Sequence, residues 1–240
     1  AFTPQDPTGV LYCLNVYRAD LPREWFPPGS AKRVRVLEGV RRNRNGERLD
    51  PPVRRFLGEV NLEPDGSFNL RLPANTPIQL QLVDEHGMAV RSCSWIWVRN
   101  RELRGCIGCH EDPELAPENQ LVKAVLKPSI ELTLPPERRR TVTFDRDVAA
   151  VLRAKCSTPA CHGAETKPLL RNLEDVRPFL AGAARLSPLV WSLVGHKTTR
   201  PWDNVQPGNR GLLKMPPAGA SALTEDELRT IFEWIDLGAN

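Results

Sequence analysis

The run Cys106-Ile-Gly-Cys109-His110 constrains this chain more than any other stretch. Two thiols separated by two residues, with a histidine directly after, form the attachment signature of c-type haem. The spacing sets the reach of the thiols to the two haem vinyl groups. The adjacent imidazole then lies under the porphyrin and coordinates iron. Half of a zinc ribbon is the competing pattern. A thioredoxin-like Cys-x-x-Cys fits less well, because the histidine follows at once and no βαβ pattern surrounds it.

A looser version stands at Cys156-Ser-Thr-Pro-Ala-Cys161-His162-Gly163, where four residues separate the cysteines. Downstream lies Lys214-Met215-Pro216-Pro217, a methionine in a proline-bounded loop. Met/His ligation is usual in cytochromes c, so Met215 is the expected sixth ligand of a second haem. A zinc site joining all four cysteines leaves the Cys-His order and the Met loop unexplained. The expectation is two covalently bound haem c groups. Cys106, Cys109, Cys156 and Cys161 attach them, and His110 and His162 are the proximal ligands. Only two other histidines exist, His86 and His196. His196 competes for the second iron or serves the first. His86, beside Gly87, reads as a hairpin tip, and Met88 as sandwich packing. The first haem is therefore five-coordinate, or ligated by His86, by His196 or by a neighbouring subunit.

At 240 residues the chain suffices for one large or two small domains. A charged fraction of 26% against 40% hydrophobic points to a soluble globular protein. No run approaches the ~18 apolar residues of a membrane helix. The first residues, Ala1-Phe2-Thr3-Pro4, resemble a mature protein with its leader removed. Covalent haem attachment normally takes place outside the cytoplasm, so a periplasmic or extracellular location is expected. The charge of +4 does not point to nucleic acid. Four haem propionates cancel it, and Arg41-Arg42-Asn43-Arg44 and Arg138-Arg139-Arg140 are short and lack aromatic interleaving. Those clusters read as solvated loops or propionate partners. Cys13 and Cys93 remain outside the motifs, as a disulfide, as two buried thiols or as metal ligands.

The fold expectation is α+β in two domains, an N-terminal antiparallel β-sandwich followed by a mainly α cytochrome c domain. Residues 1–112 form the sandwich, with the first motif at its C-terminal edge. Strands are expected at Leu11–Arg18, Lys32–Leu37, Arg55–Val60, Ser67–Leu72, Ile78–Val83 and Ala89–Val98. Turn chemistry at Asn45-Gly46, Asp65-Gly66 and His86-Gly87 separates them. Residues 113–140 are proline-rich and read as a linker, with one short helix at Asn119–Leu126. Residues 141–240 read as helical, with segments at Asp145–Lys155, Leu173–Leu180, Pro188–Val194 and Glu225–Leu237. Thr224 and Glu227 form a capping box for the last. Leu228, Ile231, Phe232 and Ile235 make its buried stripe, with Trp234 at the edge.

Two resemblances follow. Phe144-x-x-x-Val148, Cys161-His162-Gly163, Met215-Pro216-Pro217 and Leu223-Thr-x-x-Glu227…Trp234-Ile235-x-x-Gly238-Ala239 resemble planctomycete-type cytochrome c domains. The long Cys-x4-Cys spacing departs from that pattern. Leu11-Tyr12-Cys13, Val16-Tyr17, Arg33–Gly39 and Ser94-Trp95-x-Trp97-Val98-Arg99…Arg104–Glu111 resemble the middle domain of hydrazine synthase alpha subunits. The resemblance implies a β-rich scaffold presenting a c-type haem, with a nearby metal bound partly through a cysteine that Cys13 would match. It brings no propeller domain or partner subunits, so hydrazine chemistry is not carried over.

Electron transfer by a two-haem cytochrome, with redox proteins as partners, is the leading functional expectation. Head-to-tail assembly into a haem-relay filament extends it. The alternative is a haem redox enzyme, peroxidase-like or acting on nitrogen compounds, with an open first haem. Glu111, Asp112 and Glu114 beside the first motif would tune it electrostatically, or simply lie in a solvated loop.

Overall fold

The computed structural model describes residues 7–40, 43–44, 47–48, 53–110, 120–164, 167–204 and 213–239. The turn expected at Asn45-Gly46, the basic pair Arg41-Arg42 and the acidic residues Glu111, Asp112 and Glu114 lie outside them. The chain forms two compact units. Unit 1 comprises Ala1–Glu85 and Val90–Thr141, and unit 2 comprises His86–Ala89 and Val142–Asn240.

Unit 1 holds two four-stranded sheets. Its strands are β1 (Thr8–Cys13), β2 (Arg33–Val40), β3 (Asn43–Arg44), β4 (Glu47–Arg48), β5 (Val53–Asn61), β6 (Phe68–Pro73), β7 (Ile78–Val83), β8 (Ala89–Ser92), β9 (Leu103–Cys106) and β10 (Ile130–Glu131). One sheet runs β10-β6-β1-β9, the other β5-β2-β7-β8, and β3 and β4 pair antiparallel in a separate two-stranded sheet. The alternation of β6 buries Phe68, Leu70 and Leu72 and leaves the residues between half-exposed. Leu11 of β1 faces Leu70 across the antiparallel pair, and both are fully buried. The antiparallel expectation needs correction in this sheet. β9 joins β1, and β10 joins β6, in parallel. Neither pairing has a local turn signal, because parallel neighbours are joined by long connections.

The second sheet carries charge inside. Arg35 on β2 is fully buried, and its guanidinium donates to Glu59 at 3.0 Å and to Gln81 at 3.3 Å. Glu38 accepts from Arg55 at 2.9 Å and from Arg139 at 2.8 Å. Within the Arg138–Arg140 cluster, Arg139 is thus structural, while Arg138 and Arg140 are exposed. Arg139 is almost buried in its ion pair, and the Arg140 guanidinium lies 4.2 Å from the Phe56 ring centroid. Residues 120–141 of the proline-rich stretch pack on unit 1, through β10, buried Val122 and Ala124, and the Phe56 N–H bond to the Arg140 carbonyl at 2.8 Å. The short helix expected there is a 3-10 turn, Lys123–Leu126.

Unit 2 is helical: α1 (Ala149–Lys155), α2 (Leu173–Val176), α3 (Pro188–Val194) and α4 (Glu225–Asp236). A π-helical turn, Phe144–Val148, leads into α1. Pro178 limits α2 to one turn, continued by a 3-10 turn over Arg177–Phe179. Pro188 opens α3, and Gly195, at φ 84°, closes it in the left-handed region. Thr224 and Glu227 cap α4 reciprocally. The expected stripe on α4 shifts. Leu228 is only half-buried, while Trp234 is fully buried and packs at 5.6 Å, ring centroid to centroid, against Phe144. Asp236, also buried, accepts from the amides of Ala89 at 2.9 Å and Ala184 at 2.8 Å. Met88, expected in the sandwich, is buried within unit 2 instead.

Candidate functional site

The first motif begins where a strand ends. β9 lies parallel to β1, and Cys106, its last residue, stands directly opposite Cys13. The motif then runs beside the chain after β1. Leu14 N–H bonds to Cys106 O at 2.9 Å, Asn15 N–H to Ile107 O at 3.2 Å, Cys109 N–H to Arg18 O at 3.0 Å, and Asp20 N–H to His110 O at 2.8 Å. Gly108 is required here. A Cβ on it would lie 1.9 Å from the Arg18 carbonyl oxygen, and that oxygen is backbone. His110 has φ 58°, a left-handed turn that swings it out of the strand direction. Cys106 and Cys109 are half-buried and His110 is exposed, so all three side chains are within reach of a prosthetic group. Asp20 pairs with Arg91 beside the motif, and hydrogen bonding from that guanidinium holds its carboxyl below the ordinary range, with a further contribution from His110.

Cys13 is 1% exposed, and all six cysteines are outside disulfides. Cys93 Sγ accepts the Leu80 N–H at 3.1 Å. Burial pushes the Cys93 thiol up, and the charge of nearby Cys106 adds to the rise. Among the described residues no group of three or more His, Cys, Asp and Glu is arranged to hold a metal ion. That Cys13 and Cys106 are neighbours is not legible locally, because parallel register is not written in local pattern.

The second motif begins where a helix ends. Cys156 is the C-cap of α1 and is 8% exposed. The four-residue insertion folds as a tight turn. Cys161 N–H bonds to Thr158 O at 2.9 Å, and His162 N–H returns to Cys156 O at 2.9 Å. A Cβ on Gly163 would lie 2.1 Å from the Ser157 carbonyl oxygen, which explains the glycine after the histidine. Burial raises the Cys156 thiol to about 11, with smaller contributions from Cys161 and Glu227. His162 Nδ1 lies 2.7 Å from the Pro168 carbonyl oxygen. A carbonyl only accepts, so Nδ1 carries the proton and Nε2 keeps the lone pair for a metal. That orientation fits a proximal haem ligand.

Met215 and His196, the two residues the sequence offers as further ligands at this motif, lie at one end of α3. Met215 N–H bonds to Ser192 O at 2.7 Å, and a Cβ on Gly195 would touch the Lys214 side chain at 2.9 Å. Exposed His196 follows Gly195 directly, and Met215 is half-buried. His86 is exposed on the turn before Gly87 and belongs to unit 2. No helix among the described residues is long and apolar enough to cross a membrane.

Residues 29–111, the stretch that ends on the first motif, match the family model of the hydrazine synthase alpha subunit middle domain. Hydrazine synthase subunit alpha of Kuenenia stuttgartiensis is 25% identical, over 78% of this chain and 32% of that protein. The solved hydrazine synthase of the same organism matches at a TM-score of 0.74 and 22% identity, over 98% of this chain and 43% of that one. The chain thus spans about a third of the curated relative and less than half of the solved chain. The structural match establishes a shared fold through both units.

Proposed function

We propose that this chain is an exported two-haem c-type redox protein, with a first haem open to a small nitrogen compound and a second that passes electrons. The observation behind this reading is how the ligands divide. Unit 1 contains one histidine, His110, and no methionine, whereas unit 2 contains the other three histidines and both methionines. Unit 1 alone offers no second histidine or methionine to close an iron held at Cys106 and Cys109. The likeness of residues 29–111 to an alpha subunit middle domain supplies the substrate class, since that relative is named for hydrazine synthesis.

A bound haem would supply iron cycling between Fe(II) and Fe(III), at a potential set by axial ligands and burial. The chain's own residues do the rest. Cys106 and Cys109 would anchor the first group covalently, and the pinned loop would hold His110 for it. The Arg91–Asp20 pair keeps a fixed charge pair beside that imidazole. Cys156 and Cys161 would anchor a second group, with His162, oriented through Nδ1, as an iron ligand and Met215 or its rival His196 as a further one. In this reading residues 1–112 carry the open site, 113–140 lead on from it while packing within unit 1, and 141–240 form a cytochrome c-like domain.

Cyanide titration of the purified protein, with haem counted by pyridine haemochrome, tests the proposal. The expected result is two haems per chain, one high-spin and binding one cyanide. Two low-spin haems that both resist cyanide would overturn it in favour of pure electron transfer. That second reading draws on the candidates at the end of α3, which suit a six-coordinate carrier.

A further inference from the structure

We infer that the fold gives Cys106 a second thiol partner, Cys13, and that in the haem-free chain a disulfide oxidant joins the two and closes the first site to haem. This rests on reading Cys106 as an attachment thiol. The carrying observation is register. Cys13 and Cys106 are direct partners in the parallel β1–β9 pair. Partners on neighbouring strands project from the same face of a sheet. Adjacent strands lie about 4.8 Å apart, inside the roughly 4.4–6.8 Å window between the Cα atoms of a disulfide. Cys106 is also the last residue of β9, so the adjustment that brings the sulfurs together disturbs only one end of the ladder.

Exposure sets the order of events. Cys106 is half-buried and Cys13 is 1% exposed. Oxidised glutathione meets Cys106 first. The Cys106 thiolate attacks, the glutathione S–S bond breaks, and one glutathione thiolate leaves. The Cys13 sulfur then attacks the Cys106 sulfur. The second glutathione leaves and takes up the proton that Cys13 releases. Two protein thiols are oxidised by two electrons, and one glutathione disulfide is reduced to two thiols. Cys106 then has no thiol to add to a vinyl group, so haem attachment waits on a dithiol reductant.

The test uses the haem-free full-length chain, incubated with oxidised glutathione, alkylated, digested without reductant and mapped by mass spectrometry. It is run in buffer and in concentrated urea. In buffer the Cys13–Cys106 peptide should exceed Cys106–Cys109 by about tenfold. In urea the order should invert, because loop closure favours the sequence-near pair. Dominance of Cys106–Cys109 or Cys93–Cys106 in buffer, glutathione retained on Cys106, or identical products in both solvents overturns the inference. A Cys109→Ser chain repeats the test without the local rival, and there a Cys93–Cys106 product again overturns it. Haem per chain by intact mass checks the underlying reading separately. Haem on Cys106 with no Cys13 link sinks only this inference, and the link without haem sinks only the attachment reading.

Discussion

The two motifs share a chemical pattern but rest on opposite kinds of support. Cys106 ends a strand, and its position is fixed by register against β1 and by four backbone hydrogen bonds to the segment after it. Cys156 ends a helix, and the contacts around that helix are of side chains: Trp234 of α4 against Phe144 in the turn that leads into α1, and Lys155 Nζ bonded to Ser221 and Ala222 ahead of α4. The contrast predicts that the first motif, held by main-chain pairing, is less sensitive to loss of side-chain volume in unit 2 than the second, which is held by a side-chain core. The longer Cys-x4-Cys turn suits that setting, since the helix cap presents one thiol and the turn returns the other.

The largest effect expected from this difference comes from Trp234→Ala. Removing a fully buried tryptophan costs about 3–5 kcal/mol. The loss should fall on unit 2. In the haem-free chain, alkylation of Cys156 should accelerate sharply while that of Cys106 and Cys109 stays at the wild-type rate. Equal acceleration at both motifs would show that the two supports are not independent.

Legibility in the sequence follows the same division. Helix ends were readable wherever a local rule sets them. Pro188 and Gly195 bound α3, and Thr224 with Glu227 caps α4, because caps act within a turn. The alternation of β6 was readable for the same reason. β9 was not, since Leu-Arg-Gly-Cys has no apolar alternation and becomes a strand only because β1 supplies its partner. β10, two residues inside a proline-rich stretch, was hidden likewise. A single helical stripe puts Trp234 at an edge. The last turns of α4 are in fact buried on nearly every side, including Glu233 and Asp236. Thiol spacing and the following histidine are local and mark both candidate sites. The Pro168 carbonyl that sets the His162 tautomer, and the placement of Cys13 beside Cys106, arise only from folding.

A second prediction concerns the thiols themselves. With its thiol raised to about 11, Cys156 carries on the order of 100-fold less thiolate at pH 8 than an ordinary cysteine. Iodoacetamide should modify it correspondingly slowly in the folded haem-free chain, with a rate that climbs up to about pH 11. Because the folded value is raised, the stability from keeping this thiol neutral is intact below the unfolded value of ~8.5 and drains away as pH rises through about 11. A rate that levels off near pH 8.5 would mean that burial at the helix cap does not control this cysteine.

The smallest effect separates the two histidines. His162 is held by a neutral carbonyl, whereas His110 lies beside the Asp20–Arg91 ion pair. Asp20 is more than half exposed, so Asp20→Asn should cost under ~1 kcal/mol near neutral pH. The sign of its pH dependence is set. The folded carboxyl lies below its unfolded value, first through the hydrogen bond from Arg91. Its stabilisation is therefore complete above the ordinary carboxylate value of ~3.9 and is lost as pH falls through the depressed one. Urea midpoints of wild type and Asp20→Asn should differ by a constant amount from pH 7 to about 5 and converge in stronger acid. If the proposed haems are bound, the same substitution should move the potential at the first motif and leave the second unchanged, because the charge pair lies beside His110. An equal shift at both haems would mean that the field of the pair is not local to the first motif.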